Sequence, residues 1–118
     1  MDDSRPIFLQ IAEQLEAQII DGSMREETQV PSINDLAAFH RINPATALKG
    51  VNLLVDQGIL YKRRGIGMFV SQGARARLVA SRREAFGREF VRPLVARALA
   101  LGITQEQLAT MIRREAAE

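Results

Sequence analysis

A cluster of cations and glycines lies near the middle of the chain, in the run Lys62-Arg63-Arg64-Gly65-Ile66-Gly67. Lysine and arginine bind phosphate oxygens and the acceptor edge of guanine, and glycine lets a backbone approach a surface closely. A short distance upstream, Thr46 and Lys49 offer a hydroxyl and an ammonium group. These residue types suit contact with a polyanion, although a merely solvated basic hairpin is the alternative for the same run.

Residues for catalysis or metal binding are sparse by comparison. The chain has no cysteine, which excludes disulfides and thiolate zinc sites, and its one histidine is His40. The sequence shows no nucleophile–base pair, phosphate-binding loop or cluster of metal ligands. We therefore predict a protein that is not an enzyme and that carries no cofactor and no metal.

Two helices joined by a tight connection precede the cationic run. Ser32 can cap the first helix by accepting from the backbone N–H of Asp35, whose carboxylate can reach back. Asn43-Pro44 begins the second, because Asn caps well and Pro at the first helical position loses no needed hydrogen bond. About three residues separate the two helices, which is typical of a helix-turn-helix.

Apolar spacing sets the inner side of both helices. On the first helix we assign Leu36, Ala37 and Phe39 to it, and on the second Ala47, Val51 and Leu54. The outward or flanking positions of the second helix are then Ala45, Thr46, Leu48, Lys49 and Asn52. Gly58 is expected to end this helix in a left-handed conformation.

A basic β-hairpin completes the pattern. We predict strands at Ile59–Lys62 and Met68–Ser71, joined by a tip at 63–67, with a further short strand near Gln29-Val30. An amphipathic helix over residues 6–21 precedes these elements. The order of parts predicts a mainly α (α+β) fold with an N-terminal winged helix-turn-helix.

Four motifs in this region resemble the DNA-binding domain of the GntR family of bacterial transcription regulators. They are Pro6-Ile7-Phe8-Leu9-Gln10-Ile11, Pro31-Ser32 with Leu36-Ala37, Asn43-Pro44 with Thr46, and Arg64-Gly65-x-Gly67-x-Phe69-Val70. Asn43-Pro44 and the short C-terminal tail resemble the YtrA subfamily in particular. The resemblance covers about residues 6–71. It implies a sequence-specific DNA-binding transcription regulator that acts as a repressor, with the second helix in the major groove.

The predicted contacts with double-stranded DNA follow from the helix start, the helix face and the hairpin. They are Ser32, Asn34, Asn43, Ala45, Thr46, Lys49, Lys62, Arg63, Arg64, Gly65 and Gly67. Asn34 stands where the family usually has Arg, and Glu26-Glu27 replaces its usual Pro-Gly turn. Gly50 in mid-helix is expected to cost about 0.5–1 kcal/mol relative to Ala.

The composition changes after Gln72-Gly73, so we predict a DNA-binding domain over 1–73 and a helical dimerisation region over 74–118. The second region is predicted as a helix over 75–101, kinked at Pro93, and a last helix capped by Thr104. Two helices cannot bury their own apolar face, so they must pack on the winged domain or on another chain. We favour another chain, in a homodimer that binds a palindromic operator. Its predicted interface comprises Phe86, Phe90, Leu94, Leu101, Leu108, Met111 and Ile112, the last three of which should face inward.

The local distribution of charge is more informative than the net charge of each region. Residues 1–73 hold seven Lys and Arg against nine Asp and Glu, and residues 74–118 hold nine Arg against five Glu. Screening limits charge effects to about 8 Å at physiological salt, so the local cluster decides docking. No run approaches the roughly 20 apolar residues of a membrane span, and Asp2-Asp3 precedes the first apolar residues. We therefore expect a cytoplasmic protein with no membrane partner.

Two questions stay open at this point. A winged-helix module that binds another protein, rather than specific DNA, is the alternative to a regulator. A small-molecule effector is not identified by the sequence, although the short C-terminal region leaves little room for a buried metabolite pocket.

Overall fold

The computed structural model describes residues 4–117, so Asp2 and Asp3 lie outside the described part. The elements in chain order are α1 (Ile7–Asp21), α2 (Ile33–His40), α3 (Pro44–Asp56), β1 (Leu60–Arg63), β2 (Gly67–Val70), α4 (Ala74–Phe86), α5 (Arg92–Ala100) and α6 (Gln105–Ala116). A first compact unit ends at Val79 and a second begins at Ala80. This is the mainly helical winged helix-turn-helix fold that the sequence predicts. No described helix is both long and apolar enough to cross a membrane.

The core of the first unit is one cluster of aliphatic side chains. Ile11, Leu15 and Ile19 recur every four residues along α1 and form its buried stripe. They pack with buried residues of α2, α3 and the sheet, which include Leu36, Ala37, Ala47, Val51, Leu54, Leu60 and Val70. The predicted inner sides of α2 and α3 are therefore confirmed, with one exception.

Phe39 is that exception, because its side chain is 81 % exposed. At 3.6 residues per turn, Phe39 lies about 110° around α2 from the midpoint between Leu36 and Ala37. The short helix therefore buries those two residues and turns Phe39 outward. The Phe39 and His40 rings form a T-shaped pair, with 4.9 Å between the centroids.

Helices α1 and α3 cross closely at Gly50. A Cβ atom at this position would lie 2.8 Å from the carbonyl oxygen of Phe8 and 3.1 Å from Cβ of Ile11. No side chain fits there without moving the backbone of α1. Gly50 is thus the residue that permits the crossing, rather than only the weak point of a helix.

We predict that Gly50→Ala destabilises the protein although alanine favours helix. Helix propensity should add about 1 kcal/mol, but forcing a methyl group against the Phe8 carbonyl should cost more, leaving a net loss of about 1–3 kcal/mol. Urea unfolding followed by circular dichroism measures the change. Gly87→Ala is the matched control, since a Cβ there meets nothing within 4 Å. Equal stability of the two variants would contradict the close crossing.

Strands β1 and β2 form an antiparallel pair in the register Leu60↔Val70 and Lys62↔Met68. Both are shifted by one residue from the predicted bounds. Ile59 is not yet in the ladder because its N–H donates to the carbonyl of Leu54 and closes the end of α3, at 2.9 Å. The third strand expected near Gln29 is an isolated bridge from Gln29 to Phe69.

The resemblance predicts a Pro-Gly turn where this chain has Glu26-Glu27, and Glu27 adopts a left-handed φ of +64°. This conformation disfavours a side chain, so contacts must hold it. The Glu27 N–H donates to the carbonyl of Val70 at 2.8 Å, and its carboxylate accepts from the Tyr61 hydroxyl at 2.6 Å. That hydrogen bond raises the pKa of Tyr61 above its ordinary value.

Glu26 anchors the start of α4. Its carboxylate accepts from the backbone N–H groups of Gly73 at 2.9 Å and Arg75 at 3.1 Å, and these bonds lower the pKa of Glu26. Helix N-termini favour such negative charge. Ala74 and Leu78, one turn apart, are buried in the core cluster. The first unit therefore extends through Val79, six residues past the division that the composition suggested.

Arginines of the same turn bind carbonyl groups at the ends of other elements. The Nε of Arg75 donates to the carbonyl of Ile20 at 2.8 Å, near the end of α1. The guanidinium of Arg77 donates to the carbonyls of Gln57 at 2.7 Å and Gly58 at 3.2 Å, just after α3. Cationic donors at a helix C-terminus satisfy carbonyls that lack an intrahelical partner.

We predict that Glu26→Gln lowers stability near neutral pH and that the deficit shrinks in acid. The pKa of Glu26 is lower in the folded protein than its ordinary value of 4.5. Its carboxylate therefore stabilises the fold fully at pH values above 4.5, and this stabilisation is lost as the pH falls through the pKa of the folded state. Thermal unfolding of parent and variant from pH 7 to pH 3 tests this. Glu89→Gln, an exposed carboxylate of the second unit, is the control. A pH-independent difference would contradict the assignment.

In the second unit a π-helical turn at Gly87–Val91 joins α4 to α5. Pro93 has no N–H to donate to Glu89 and crowds that carbonyl, so the chain widens locally. The Arg92 N–H accordingly donates to the carbonyl of Gly87, five residues back. The predicted continuous α-helix with a kink is thus replaced by two α-helices and this turn. Gly102 has a left-handed φ of +71°, and Thr104 and Gln107 form the predicted capping box of α6.

Candidate nucleic-acid interface

The start of α3 is held by Asn43. Its Oδ1 accepts from the backbone N–H of Ala45 at 2.8 Å, and its carbonyl accepts from the N–H of Thr46 at 3.0 Å. The side-chain oxygen of Asn43 therefore serves the helix, which leaves its amide NH₂ free to donate outward. The predicted contact residue is consequently also a structural cap.

Ser32, at the start of α2, is likewise both a helix cap and a predicted contact residue. Its Oγ accepts from the backbone N–H of Asp35 at 3.1 Å, and the Ser32 side chain is exposed. The hydroxyl hydrogen remains a donor to an external acceptor. Asn34 lies in the first turn of the same helix and is exposed.

The outer side of α3 matches the face expected from its apolar spacing. Ala45, Leu48, Lys49 and Asn52 are exposed, and Thr46 is half-buried. Small residues occupy the first turn, so the backbone of α3 can approach a flat or grooved surface closely. The Nζ atom of Lys49 lies over the ring of Phe8 in α1, 4.2 Å from its centroid.

The hairpin divides its three cations between different directions. Lys62, Arg63 and Arg64 are all exposed. Because side chains alternate along a strand, Lys62 and Arg63 leave β1 on opposite faces. The Arg63 guanidinium lies over the Phe69 ring, 4.9 Å from its centroid, whereas Arg64 and Gly65 occupy the turn at the tip. The run that looks uniform in sequence therefore presents Arg64 at the apex.

Gln29 holds the hairpin tip, and sequence reasoning did not single it out. Its Nε2 donates to the carbonyl of Ile66 at 3.0 Å. Gly67 has a φ of +146°, and a Cβ there would lie 2.5 Å from this Nε2 atom. Gly67 is therefore needed to admit Gln29 as well as to form the turn. The only sequence signal for Gln29 was its place in the predicted third strand.

The predicted dimer residues are apolar side chains of the second unit, and most of them are exposed. Side chains of Phe86, Phe90, Leu94, Leu101, Met111 and Ile112 are 42–77 % exposed, and Leu108 is half-buried. In a single chain Met111 and Ile112 are exposed and Leu108 is half-buried, so the expectation that these three residues face inward stays a prediction about paired chains. Together with Leu94, Glu115 and Ala116, these three residues line an open groove of about 500 Å³.

In the described part of the chain, no three His, Asp or Glu residues are grouped so that they could hold a metal ion. His40 contacts the Phe39 ring. The fold and the exposed face of α3, beside a basic wing, define a winged helix-turn-helix protein of the DNA-binding type.

Comparison with known proteins identifies the family. Residues 8–70 match the model of the bacterial regulatory proteins of the gntR family, so the chain belongs to the GntR family. It is therefore a member of a family of transcription regulators and not of enzymes. The family resemblance inferred from the four sequence motifs is confirmed.

The similar proteins include two that match along most of the chain and one shorter domain solved with its operator. The chain is 30 % identical over 115 residues to the HTH-type transcriptional repressor YtrA of Bacillus subtilis, covering 98 % of this chain and 88 % of that protein. A GntR-family regulator structure from Bacteroides thetaiotaomicron is 32 % identical with a TM-score of 0.77, over 94 % of this chain and 96 % of that one. A complex of AraR(DBD) with operator ORX1 is 28 % identical with a TM-score of 0.55, over 60 % of this chain and 87 % of that one.

Proposed function

We propose that this protein is a transcription repressor that binds a palindromic operator sequence-specifically as a homodimer in the cytoplasm. The observation that carries the proposal is the outer face of α3, which is exposed, small at its first turn and flanked by a basic wing. Similarity to a repressor along nearly the whole chain, and to a domain bound to its operator, supports it.

In the proposed complex α3 enters the major groove. The Thr46 hydroxyl faces phosphate, and the partial positive charge of the helix N-terminus favours that anion. The N–H groups of Ala45 and Thr46 themselves donate to Asn43. Lys49, one turn further, reaches phosphate or guanine. Ala45 keeps the approach close, and the amide NH₂ of Asn43 provides a further donor beside it.

The wing and α2 complete the proposed contact. Arg64 and Gly65 at the apex lie along the adjacent minor groove or its phosphates, with Lys62 and Arg63 on either side of the hairpin. Gly67 and Gln29 hold the tip in shape. Ser32 and Asn34 meet the backbone or a base edge from the first turn of α2, where Asn34 offers both a donor and an acceptor.

Two copies of the chain are proposed to pair through the apolar surface of the second unit. Exposed apolar groups of this extent mark an interaction surface rather than an ordinary solvated face. A symmetric dimer presents two α3 helices to two half-sites, and successive major grooves would set those half-sites about 34 Å apart. The predicted functional regions, 1–73 for DNA binding and 74–118 for pairing, remain part of this proposal, although the start of α4 packs in the core of the first unit.

We predict that Lys49→Ala and Arg64→Ala each weaken operator binding by about 1–3 kcal/mol while leaving the dimer intact. Fluorescence anisotropy on the duplex upstream of the protein's own coding region, against a shuffled duplex, measures this across a salt series. Specific binding should show a log–log salt slope of several units. Arg83→Ala, which removes an exposed cation from α4, is the matched control.

Binding of both variants at the parent's affinity would contradict the assigned surface. Equal weak binding of the parent to both duplexes would mean that this fragment is not the operator, and selection from genomic fragments would then locate it. Failure to bind any duplex at low salt would refute the proposal in favour of a protein-binding module.

We predict that Phe90→Glu converts the dimer to monomer, because the substitution places a charge in an apolar interface. Sedimentation equilibrium measures the mass in solution. Phe39→Glu is the control, since it makes the same change at an exposed aromatic side chain of the first unit. A parent protein that is monomeric, or a Phe90→Glu variant that stays dimeric, would contradict the proposed pairing surface.

A further inference from the structure

We infer that Phe8 is a positioning residue for DNA binding, and that its ring holds the ammonium group of Lys49 in place for contact with the operator. The inference rests on the proposed function, because it concerns how one residue of the DNA-contacting face is oriented. Phe8 lies in α1, outside the helix-turn-helix and the wing.

Two contacts join Phe8 to consecutive residues of α3. Its ring lies beneath the Nζ atom of Lys49, at 4.2 Å from the centroid. Its carbonyl oxygen occupies the space that a side chain at position 50 would need, 2.8 Å from an ideal Cβ. The close crossing at Gly50 thus brings an aromatic face within reach of Lys49.

The chemical type of the group beside the Lys49 ammonium affects how well that ammonium can bind DNA. A carboxylate beside Lys49 would compensate its charge and compete with phosphate. An aromatic ring attracts the cation through its quadrupole and leaves the net charge in place. The ammonium therefore keeps its attraction for DNA while its side chain loses part of its freedom.

That loss of freedom is useful because lysine has a flexible four-carbon stem. Ordering such a side chain at an interface costs binding free energy, and a residue already held in position costs less. Phe8 and Lys49 line one open groove of about 360 Å³ with Ala45, Leu48, Asn52 and Asp56. The ring keeps Lys49 along this groove, on the same side of α3 as Asn52.

A double-mutant cycle on DNA tests the inference. Phe8→Leu should weaken operator binding about two- to fivefold in the parent, the scale of one exposed cation–π contact, and should have no effect in a Lys49→Met background. Phe8→Tyr, which keeps an aromatic face, should restore the parent's affinity. The salt slope should fall by about one unit for Lys49→Met if Lys49 meets a phosphate, and should not change for Phe8→Leu.

A second measurement needs no DNA. In the free protein, the Lys49 side-chain protons next to Nζ should show an upfield ring-current shift by NMR, and Phe8→Leu should abolish it. Phe8→Met serves in both experiments if the leucine variant does not fold. Ring-current shifts without any DNA binding would refute the proposed function and leave the contact standing.

Three results would overturn the positioning role. Equal weakening by Phe8→Leu in both backgrounds would show that Phe8 acts through packing alone. Tighter operator binding by Phe8→Leu would show that the ring withholds Lys49 from DNA. Absence of the ring-current shift in the parent would show that the contact does not persist in solution.

Discussion

The close crossing of α1 and α3 at Gly50 is the constraint on which the first unit depends. Without a side chain at this point, the Phe8 carbonyl can touch α3, and the stripe of Ile11, Leu15 and Ile19 can meet the inner side of α3. The burial of this stripe fixes the rotation of α3 about its own axis. The same contact that builds the core therefore decides which residues α3 presents outward.

Polar side chains at the helix starts serve the fold first. Asn43 and Ser32 each use an oxygen to accept a hydrogen bond from a backbone N–H, and each retains a hydrogen-bond donor. Such caps place the first turns of α2 and α3 firmly, at a typical gain of about 1 kcal/mol each. The surface proposed to contact DNA thus includes side chains that also cap the helices of the fold.

The side chains of Glu26 and Glu27 stabilise a connector that lacks the Pro-Gly turn usual in the family. Glu27 takes the left-handed conformation that glycine would take, and binds Tyr61 of the wing. Glu26 binds the first turn of α4. One connector consequently ties the hairpin and α4 to the end of α1, which a Pro-Gly turn without side-chain carboxylates could not do.

The sequence by itself determined the order of the helix-turn-helix and hairpin, the caps at Ser32, Asn43 and Thr104, and the inner side of α3, because these follow from interactions within a few residues. Only the tertiary structure decided the outward turn of Phe39 and the need for glycine at position 50. It also revealed the placement of Lys49 over a ring 41 positions earlier and the support of the wing tip by Gln29. Those outcomes depend on which segments approach one another in space, and that is set by the packing of the whole core rather than by local spacing.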